Sequence, residues 1–468
     1  MPPVHTMHQC GIGTHDRLQC YILKVAPLGK SLLVFAATTL AVSLPAAVVS
    51  AQEVPQPLLS AQFSFSNPGA RSLGLGGAFV ALADDATAAW ANPAGLVQIA
   101  KPEVSVEVRY WDYSTPFVSG GRVRGEPTGI GLDTVSGLRT DTDEYDVTGL
   151  AFLSFVYPGN RWSLSAYRHV LANLQAQGET EGLFTEGGDG ETLRFLDQRN
   201  RTQMDVISYG LSAAYRISDA FSVGVGLVYY DTSIIIHSDL YLWDDLDDPF
   251  GSGTSYLPEH FVIGQTLDGS DRSLGLSAGL LWKINQSWSL GGRYREGPAA
   301  HFTGQVRVGS ILDLGPDFPP GSESDFEVLG DIELPDNYGL GVAYRSADGR
   351  LTIGFEWDRV TYSDAFDTLE EDDQEIDDAD QFHLGGEWVF LETSPLLAIR
   401  AGLWHDPDHQ TRANENADDH TRALLRPGED QLHYALGLGL AFKNFQLDAA
   451  LDLSDTVNTA SLSVIYSF

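Results

Sequence analysis

Cysteine is nearly missing: the 468-residue chain has only Cys10 and Cys20. Both precede Val49-Ser50-Ala51, a small-residue cleavage site behind the basic Lys24 and Lys30 and an apolar run from Leu32 to Val49. A mature chain starting near Gln52 therefore has no thiol for a disulfide, a metal or a lipid anchor. Positive charge is scarce as well, with 28 Lys and Arg against 64 Asp and Glu and a net charge of -36. Removing the leader, with three basic residues and one acidic, takes this to -38. Such acidity argues against nucleic acid as a partner. Long apolar runs are missing beyond the leader, where no stretch approaches the ~20 residues of a membrane-spanning helix. The leader itself reads as cleaved rather than as a retained anchor, because Pro45 and the small residues at its end suit processing.

What the chain has instead is alternation. Val104, Val106, Val108 and Tyr110 alternate with Glu103, Ser105, Glu107 and Arg109, and Phe445, Leu447, Ala449, Leu451 and Leu453 with Gln446, Asp448, Ala450 and Asp452. Period two means strand. Between Tyr434, Leu436, Leu438, Leu440 and Phe442 stand His433, Ala435, Gly437, Gly439 and Ala441, so one face suits lipid and the other a lumen. Runs of this kind predict about fourteen strands, near 103–111, 148–157, 161–170, 203–217, 221–238, 271–284, 287–306, 337–346, 350–362, 379–391, 395–405, 431–442, 445–454 and 458–468. Their connections alternate between long (112–147, 171–202, 239–270) and short (158–160, 218–220, 285–286, 443–444). A transmembrane β-barrel keeps short turns on the periplasmic side and long loops outside, and it hides acidic residues in lumen and loops.

Asn67 to Leu96 does not fit that rhythm. Small residues dominate it, Asp84 and Asp85 are placed to cap a short helix from Ala86 to Ala91, and Asn92-Pro93 ends that helix. It reads as a compact plug inside the barrel, with Pro93 fixing the chain direction and Ala94-Gly95 allowing close approach to the wall. The expected organisation is a leader over 1–51, an N-terminal plug or hatch over 52–102 and an all-β, antiparallel transmembrane barrel over 103–468.

The chain ends on Phe468 after Leu462, Val464 and Tyr466 on one face, which resembles the assembly signal of bacterial outer-membrane barrels. Together with Gly69-Ala70-Arg71-Ser72-Leu73-Gly74, Ala83-Asp84-Asp85-Ala86 and Asn92-Pro93-Ala94-Gly95-Leu96, the sequence resembles the FadL/TodX family of outer-membrane transport proteins. The stretches 334–345 and 400–408 resemble two recurring barrel segments of that family. The resemblance implies a fourteen-stranded barrel with a hatch, passive transport of long-chain fatty acids or other hydrophobic molecules, and lateral exit through a strand irregularity. A hydrophobic substrate, outer-membrane lipid and lipopolysaccharide, and the barrel assembly machinery are the expected partners of a monomer that needs no cofactor. The rivals are a porin-like channel for polar solutes, a lipid hydrolase, and a structural or adhesive barrel.

Other motifs carry less. Gly275-Leu276-Ser277-Ala278-Gly279 has the G-x-S-x-G spacing, but it lies within an alternating strand and lacks the sharp turn that exposes a nucleophile. Gly74-Leu75-Gly76-Gly77 lacks the flanking strand and long helix of a dinucleotide loop. The acidic run 370–380 lacks the glycine and spacing of a calcium loop, and His405, His409 and His420 lack compact ligand spacing, so no metal is expected. That acidity would repel a carboxylate at the outer loops and leaves neutral compounds open as substrates.

Two residue sets carry more. Arg109, Arg293, Arg295, Arg345 and Arg400 fall on the lumenal face, either pairing with Glu107, Glu356 and Glu387 or holding a substrate head group. Tyr241, Leu242, Trp243, Phe250, Tyr256, Phe261, Phe318 and Phe326 cluster in the outer loops, where they either pack the loops together or form a capture groove.

Overall fold

Strands with one face in hydrocarbon must close on themselves, because an open edge leaves N–H and C=O groups unpaired in lipid. The computed structural model describes residues 66–188, 190–245, 248–251, 256–309, 323–366 and 373–468, and they form such a closed ring. Its first six strands are β1 (Glu103–Arg122), β2 (Leu138–Pro158), β3 (Trp162–Thr180), β4 (Asp197–Arg216), β5 (Phe221–Tyr241) and β6 (Phe261–Lys283). Strand β7 has two parts, Trp288–Arg295 and Ala299–Gly309, as has β8, Glu323–Glu333 and Asn337–Arg345. The ring continues with β9 (Leu351–Val360), β10 (Ala379–Phe390), β11 (Leu396–Asp406), β12 (Gln431–Ala441), β13 (Phe445–Leu453) and β14 (Val457–Ser467). Each pairs antiparallel with the next, and β14 returns to β1 with Ser467 opposite Glu103.

The alternation places side chains as a lipid-facing wall requires. On β12, Leu432, Tyr434, Leu436 and Leu438 are 48 to 61% exposed, whereas Gln431, His433 and Ala435 are buried. Aromatic rings mark both rims of the apolar band: Tyr209, Tyr229, Tyr294 and Tyr338 outside, Trp162, Tyr215, Trp282, Trp288 and Tyr344 at the periplasmic end. Six residue steps separate Tyr209 from Tyr215, about 20 Å along the strand, on the scale of an outer-membrane hydrocarbon band.

The wall is lopsided. Strands β1 to β6 run 19 to 23 residues, and β9 to β14 run 9 to 12. The tall half therefore stands well above the lipid. This corrects the expected ends at 111, 148, 170, 203 and 271: above the outer aromatic rim the outward face meets water, and residues such as Asp143, Gln177, Arg199 and Arg201 no longer alternate with an apolar set. The expected continuous strand 287–306 is interrupted at 296–298, and the expected loop 307–336 contains the outer part of β8. Pro298 and Pro335 explain the breaks, since proline has no N–H to give the ladder.

Beyond β3 the chain crosses the mouth. Leu183–Glu186 adds in parallel to the upper end of β1, and Leu183 and Val118 pack with Ala423 and Leu424 of helix α3 (Asp419–Leu424). Inside the ring, residues 66–99 form helix α1 (Ala70–Gly74), helix α2 (Ala88–Ala91) and a 3-10 helix (Pro93–Gln98), and nearly every residue is buried. Here the expected helix from Ala86 shortens to α2.

Because Leu436 faces lipid between Tyr434 and Phe442, Leu436→Arg should destabilise the folded barrel by about 2–4 kcal/mol in vesicles. A change within about 0.5 kcal/mol, as at an ordinary surface position, would place Leu436 outside the hydrocarbon.

Candidate functional site

The inner segment docks through two devices. The first is missing side chains on the wall: a Cβ on Gly279 would collide with Asn92 and Pro93, one on Gly291 with the Val80 carbonyl, and one on Gly402 with the Gly76 amide. Inward positions without a Cβ let two backbones touch. The second is carboxylates that accept the segment's unpaired amides. Glu356 Oε2 takes hydrogen bonds from the Phe79 and Val80 amides at 2.6 and 2.7 Å, and Glu107 Oε2 from Gly69 at 2.7 Å. Wall hydroxyls do the reverse, with Ser212, Ser222 and Ser289 donating to the carbonyls of Ala89, Ala94 and Ala81.

Arg71 ties the segment to itself and to the wall, its Nη1 2.6 Å from Asp84 Oδ1 and its Nε 3.1 Å from Glu387 Oε2. Asp84 thus serves an ion pair rather than a cap; Asp85 accepts from the Thr87 amide at 2.9 Å just before α2. Burial would raise the Asp84 pKa, but Arg71 and Arg345 outweigh it and hold the carboxyl below its usual range.

Asn92 is the hinge of the expected motif. Its Oδ1 accepts from the Ala94 amide at 3.1 Å, and its Nδ2 donates to Val80 O at 2.8 Å and to Leu280 O of β6 at 3.0 Å. Pro93 and Ala94 lie against Gly224 and Gly279 of the wall. Gly95 differs from expectation in its nearest contact: a Cβ there would meet the carbonyl of Ala83 within the segment itself.

The five lumenal arginines separate sharply. Arg109 is bound by Glu107 and by Asn67 O at 2.6 Å, and Arg400 by Glu387 and Asp448 at 2.7 and 2.8 Å. Arg293 is bound by Asp358, and by Asn67 and Asn337 at 2.7 and 3.0 Å. Arg345 is not enclosed; it is 45% exposed at the periplasmic rim and meets Asp84 at 2.7 Å. Arg295 is different. It is buried, donates from Nη2 to Trp90 O at 2.6 Å and lies 3.6 Å from the Trp90 ring centroid, and its Nε and Nη1 have no partner among the described residues.

Around Arg295 the lumen is apolar. Trp90 lies tilted against His169, ring centroids 4.6 Å apart, and meets Tyr167 edge-on, and these adjoin Phe152, Leu171, Leu174, Met204, Val206, Val228 and Tyr230. This cluster lies behind a break in the wall. Strands β2 and β3 pair only from Pro158 opposite Ser163 up to Phe152 opposite His169, although β1 pairs with β2 as far as Leu138 and β3 with β4 as far as Thr180. The β3 register shifts between Val170 and Ala172, and above it residues 138–151 and 170–180 share no ladder. Gln177 N still reaches Asp143 Oδ2 at 3.0 Å. Sequence reasoning found the arginine but neither the Trp90–His169 pair nor this break; the overlong, poorly alternating stretch after Val170 was its only trace.

In the outer loops, Tyr241 packs edge-on to Tyr256 and Phe261, with Arg199 over the Tyr256 ring. Phe250 stacks on Phe184, and Arg194 lies over Trp243. Leu242 donates its amide to His260 O. Phe326 pairs with Val306 in β8, and Phe318 lies outside the described residues. Tyr241, Tyr256 and Phe261 thus pack as one cluster, and Trp243 and Phe250 pack against Arg194 and Phe184 in a second. Ser277 sits within β6 opposite Arg295, far from any sharp turn. Of the acidic run, Asp378 and Asp380 pair with Arg359, and Glu375 and Asp377 with Arg412. No group of His, Asp and Glu among the described residues is arranged to hold a metal ion.

A family model described as outer membrane protein transport protein (OMPP1/FadL/TodX) matches residues 46–459. Among solved structures, a Pseudomonas aeruginosa FadL homologue is similar at 18% identity and a TM-score of 0.59, covering 87% of this chain and all of its own. The toluene transporter TbuX of Ralstonia pickettii is similar at 17% identity and 0.53, covering 86% and 99%. The toluene transporter TodX of Pseudomonas putida is similar at 16% identity and 0.51, covering 86% and 98%. At such identities the likeness is one of fold. No curated protein matches the sequence.

Gly279→Val tests the docking. Its side chain must displace Asn92 and Pro93, so amide hydrogen exchange over residues 80–96 should quicken while the strand amides keep their protection. Unchanged exchange in that segment would mean that the glycine contact does not hold it.

Proposed function

This chain belongs to the OMPP1/FadL/TodX family of outer membrane transport proteins, and from that premise we propose that it carries hydrophobic compounds passively through the side of its barrel. The observation that supports this most directly is the missing β2–β3 ladder in front of the apolar cluster. A substrate that meets the outer face passes the packed loops, rests among Leu171, Leu174, Met204 and Val206, and leaves sideways between β2 and β3 at the outer rim of the lipid. It moves down its own gradient, without a cofactor and without covalent chemistry. Residues 52–102 serve as the hatch, with Asn92 to Gly95 as its hinge, and 103–468 as the barrel. Lipid and lipopolysaccharide surround the monomer, and the aromatic end at Tyr466 and Phe468 suits recognition by the barrel assembly machinery.

Arg295 favours one substrate class over the other. A buried guanidinium with two unpartnered donors matches a carboxylate, so a fatty acid gains where a neutral hydrocarbon such as toluene does not. The four other arginines have their carboxylates already and serve the fold. Trp243 and Phe250 contribute by shaping the loops over the mouth.

Two measurements test this reading. The described residues contain no cysteine, so Asp143→Cys with Gln177→Cys gives one clean disulfide across the break. Oxidation should stop most uptake of a fluorescent fatty acid and reduction should restore it; equal uptake in both states would remove the lateral route. Separately, Arg295→Met should weaken fatty-acid binding roughly 10- to 100-fold, the worth of about 1.5–3 kcal/mol for hydrogen bonds to a charge, and leave toluene binding unchanged. Equal loss of both ligands would make Arg295 a structural residue.

A further inference from the structure

The lumen has a second half that the hydrophobic route does not use. Along β9 to β13 the inward face is charged and polar rather than apolar, with Asp358, His383, Glu387, Arg400, Asp448 and Asp452 all buried. Two cavities lie along this face, and a third touches its outer end from between the 424–429 loop and the upper parts of β1 and β2. One of about 360 Å³ lies at the periplasmic end among Arg71, Glu387, Arg400 and Asp448. One of about 20 Å³ lies above it among Gly76, Gly77, Asp358, His383 and Asp452. The third, about 380 Å³, lies at the outer end and includes Gln410, Thr411 and Gln431. Gln381 joins the upper two levels through its 2.6 Å hydrogen bond to Asp406, which pairs in register with Gln431.

Among the described residues, several buried polar atoms along this column have no hydrogen-bond partner: Asp358 Oδ1, His383 Nε2, His409 Nε2, Thr411 Oγ1 and Gln431 Oε1. Such atoms are satisfied by water. The column is therefore wet above the inner segment, and the periplasmic cavity is wet below it. The turn Ser72 to Gly77 stands between them, with Gly76 O accepting from His383 Nδ1 at 2.7 Å and Gly74 against Gly437. Arg71, just before this turn, faces the lower cavity, where it bridges Asp84 to Glu387.

We propose that this polar half is an aqueous path for small cations, held shut by the Arg71 latch. The sign follows from the charges along it: Asp358, Glu387, Asp406, Asp448 and Asp452 outnumber Arg71, Arg293 and Arg400. A narrow pore lined by excess carboxylates concentrates cations and repels anions. Arg71 is a positioning residue for the plug turn. Without it, Glu387 keeps its Arg400 partner and the turn loses its ion pair with the wall, so that the His383 contact and the close approaches of Gly74 and Gly76 are left to hold it. The two paths share the plug but not their lining, so a cation path is separable from hydrophobic uptake.

Planar-bilayer recording on the full chain in symmetric and asymmetric potassium chloride tests the proposal. The unaltered protein should stay closed for long periods. Arg71→Gln, checked for assembly by heat-modifiable migration, should conduct steadily and favour potassium over chloride by about tenfold. Adding Asp448→Asn and Asp452→Asn should remove most of that preference. An assembled Arg71→Gln barrel that is silent, or that passes chloride as well as potassium, overturns the proposal. A second measurement is independent of that variant: Asp452→Cys should react with a small cationic thiol reagent added outside, and Asp448→Cys with the same reagent added on the periplasmic side. Failure of both thiols to react in assembled barrels would show a dry column and overturn it equally.

Discussion

The structure depends on one constraint: in hydrocarbon every backbone N–H and C=O must be paired within the protein. A ring of antiparallel strands meets it, and this ring is unbroken through the apolar band, from the periplasmic aromatics to the outer tyrosines. The β2–β3 ladder is lost only above Phe152 and His169, level with exposed Leu150 and Tyr209 at the outer edge of the band. There water and head groups can take the unpaired groups. A ladder that ends at that height exposes no bare backbone to lipid tails.

The inner segment then divides what the ring encloses. On one side Trp90 meets Tyr167 and His169 within an apolar cluster behind the gap. On the other, Arg71 and the turn at Gly76 meet a charged wall. Buried ion pairs of this kind stabilise little relative to apolar packing, yet removing one partner costs several kcal/mol because a bare charge remains. Such pairs fix position. Arg109, Arg293 and Arg400 hold the segment and wall in register, whereas the Arg295 side chain has Trp90 O as its only acceptor among the described residues.

Much of this was legible in the residues. Fourteen strands follow from period two, because lipid on one face and a lumen on the other give β12 its strict order of Leu432, Tyr434, Leu436 and Leu438 against His433, Ala435 and Gly437. The upper halves of β1 to β4 were not legible, since a strand that leaves the lipid loses its apolar set and reads as loop. Within the segment, Asn92 and Pro93 announced a chain reversal by local chemistry alone. The contacts of Gly95, the partners of each arginine and the break beside Leu171 depend on which strands meet, and such pairings join residues far apart in the chain. The aromatic loops show the same limit. Trp243 and Phe250 advertise burial against something, but Arg194 and Phe184 could be identified only from the fold.

On the proposed route a hydrophobic molecule occupies the apolar cluster behind the β2–β3 gap on its way through the wall. The most direct measurement is photolabelling of the assembled barrel with a long-chain fatty acid that carries a diazirine in its tail, with the adducts mapped by mass spectrometry. The account predicts adducts concentrated on Leu171, Leu174, Met204 and Val206, competed away by unlabelled fatty acid. Adducts confined to the lipid-facing residues and the outer loops, with these four residues unlabelled, would contradict it.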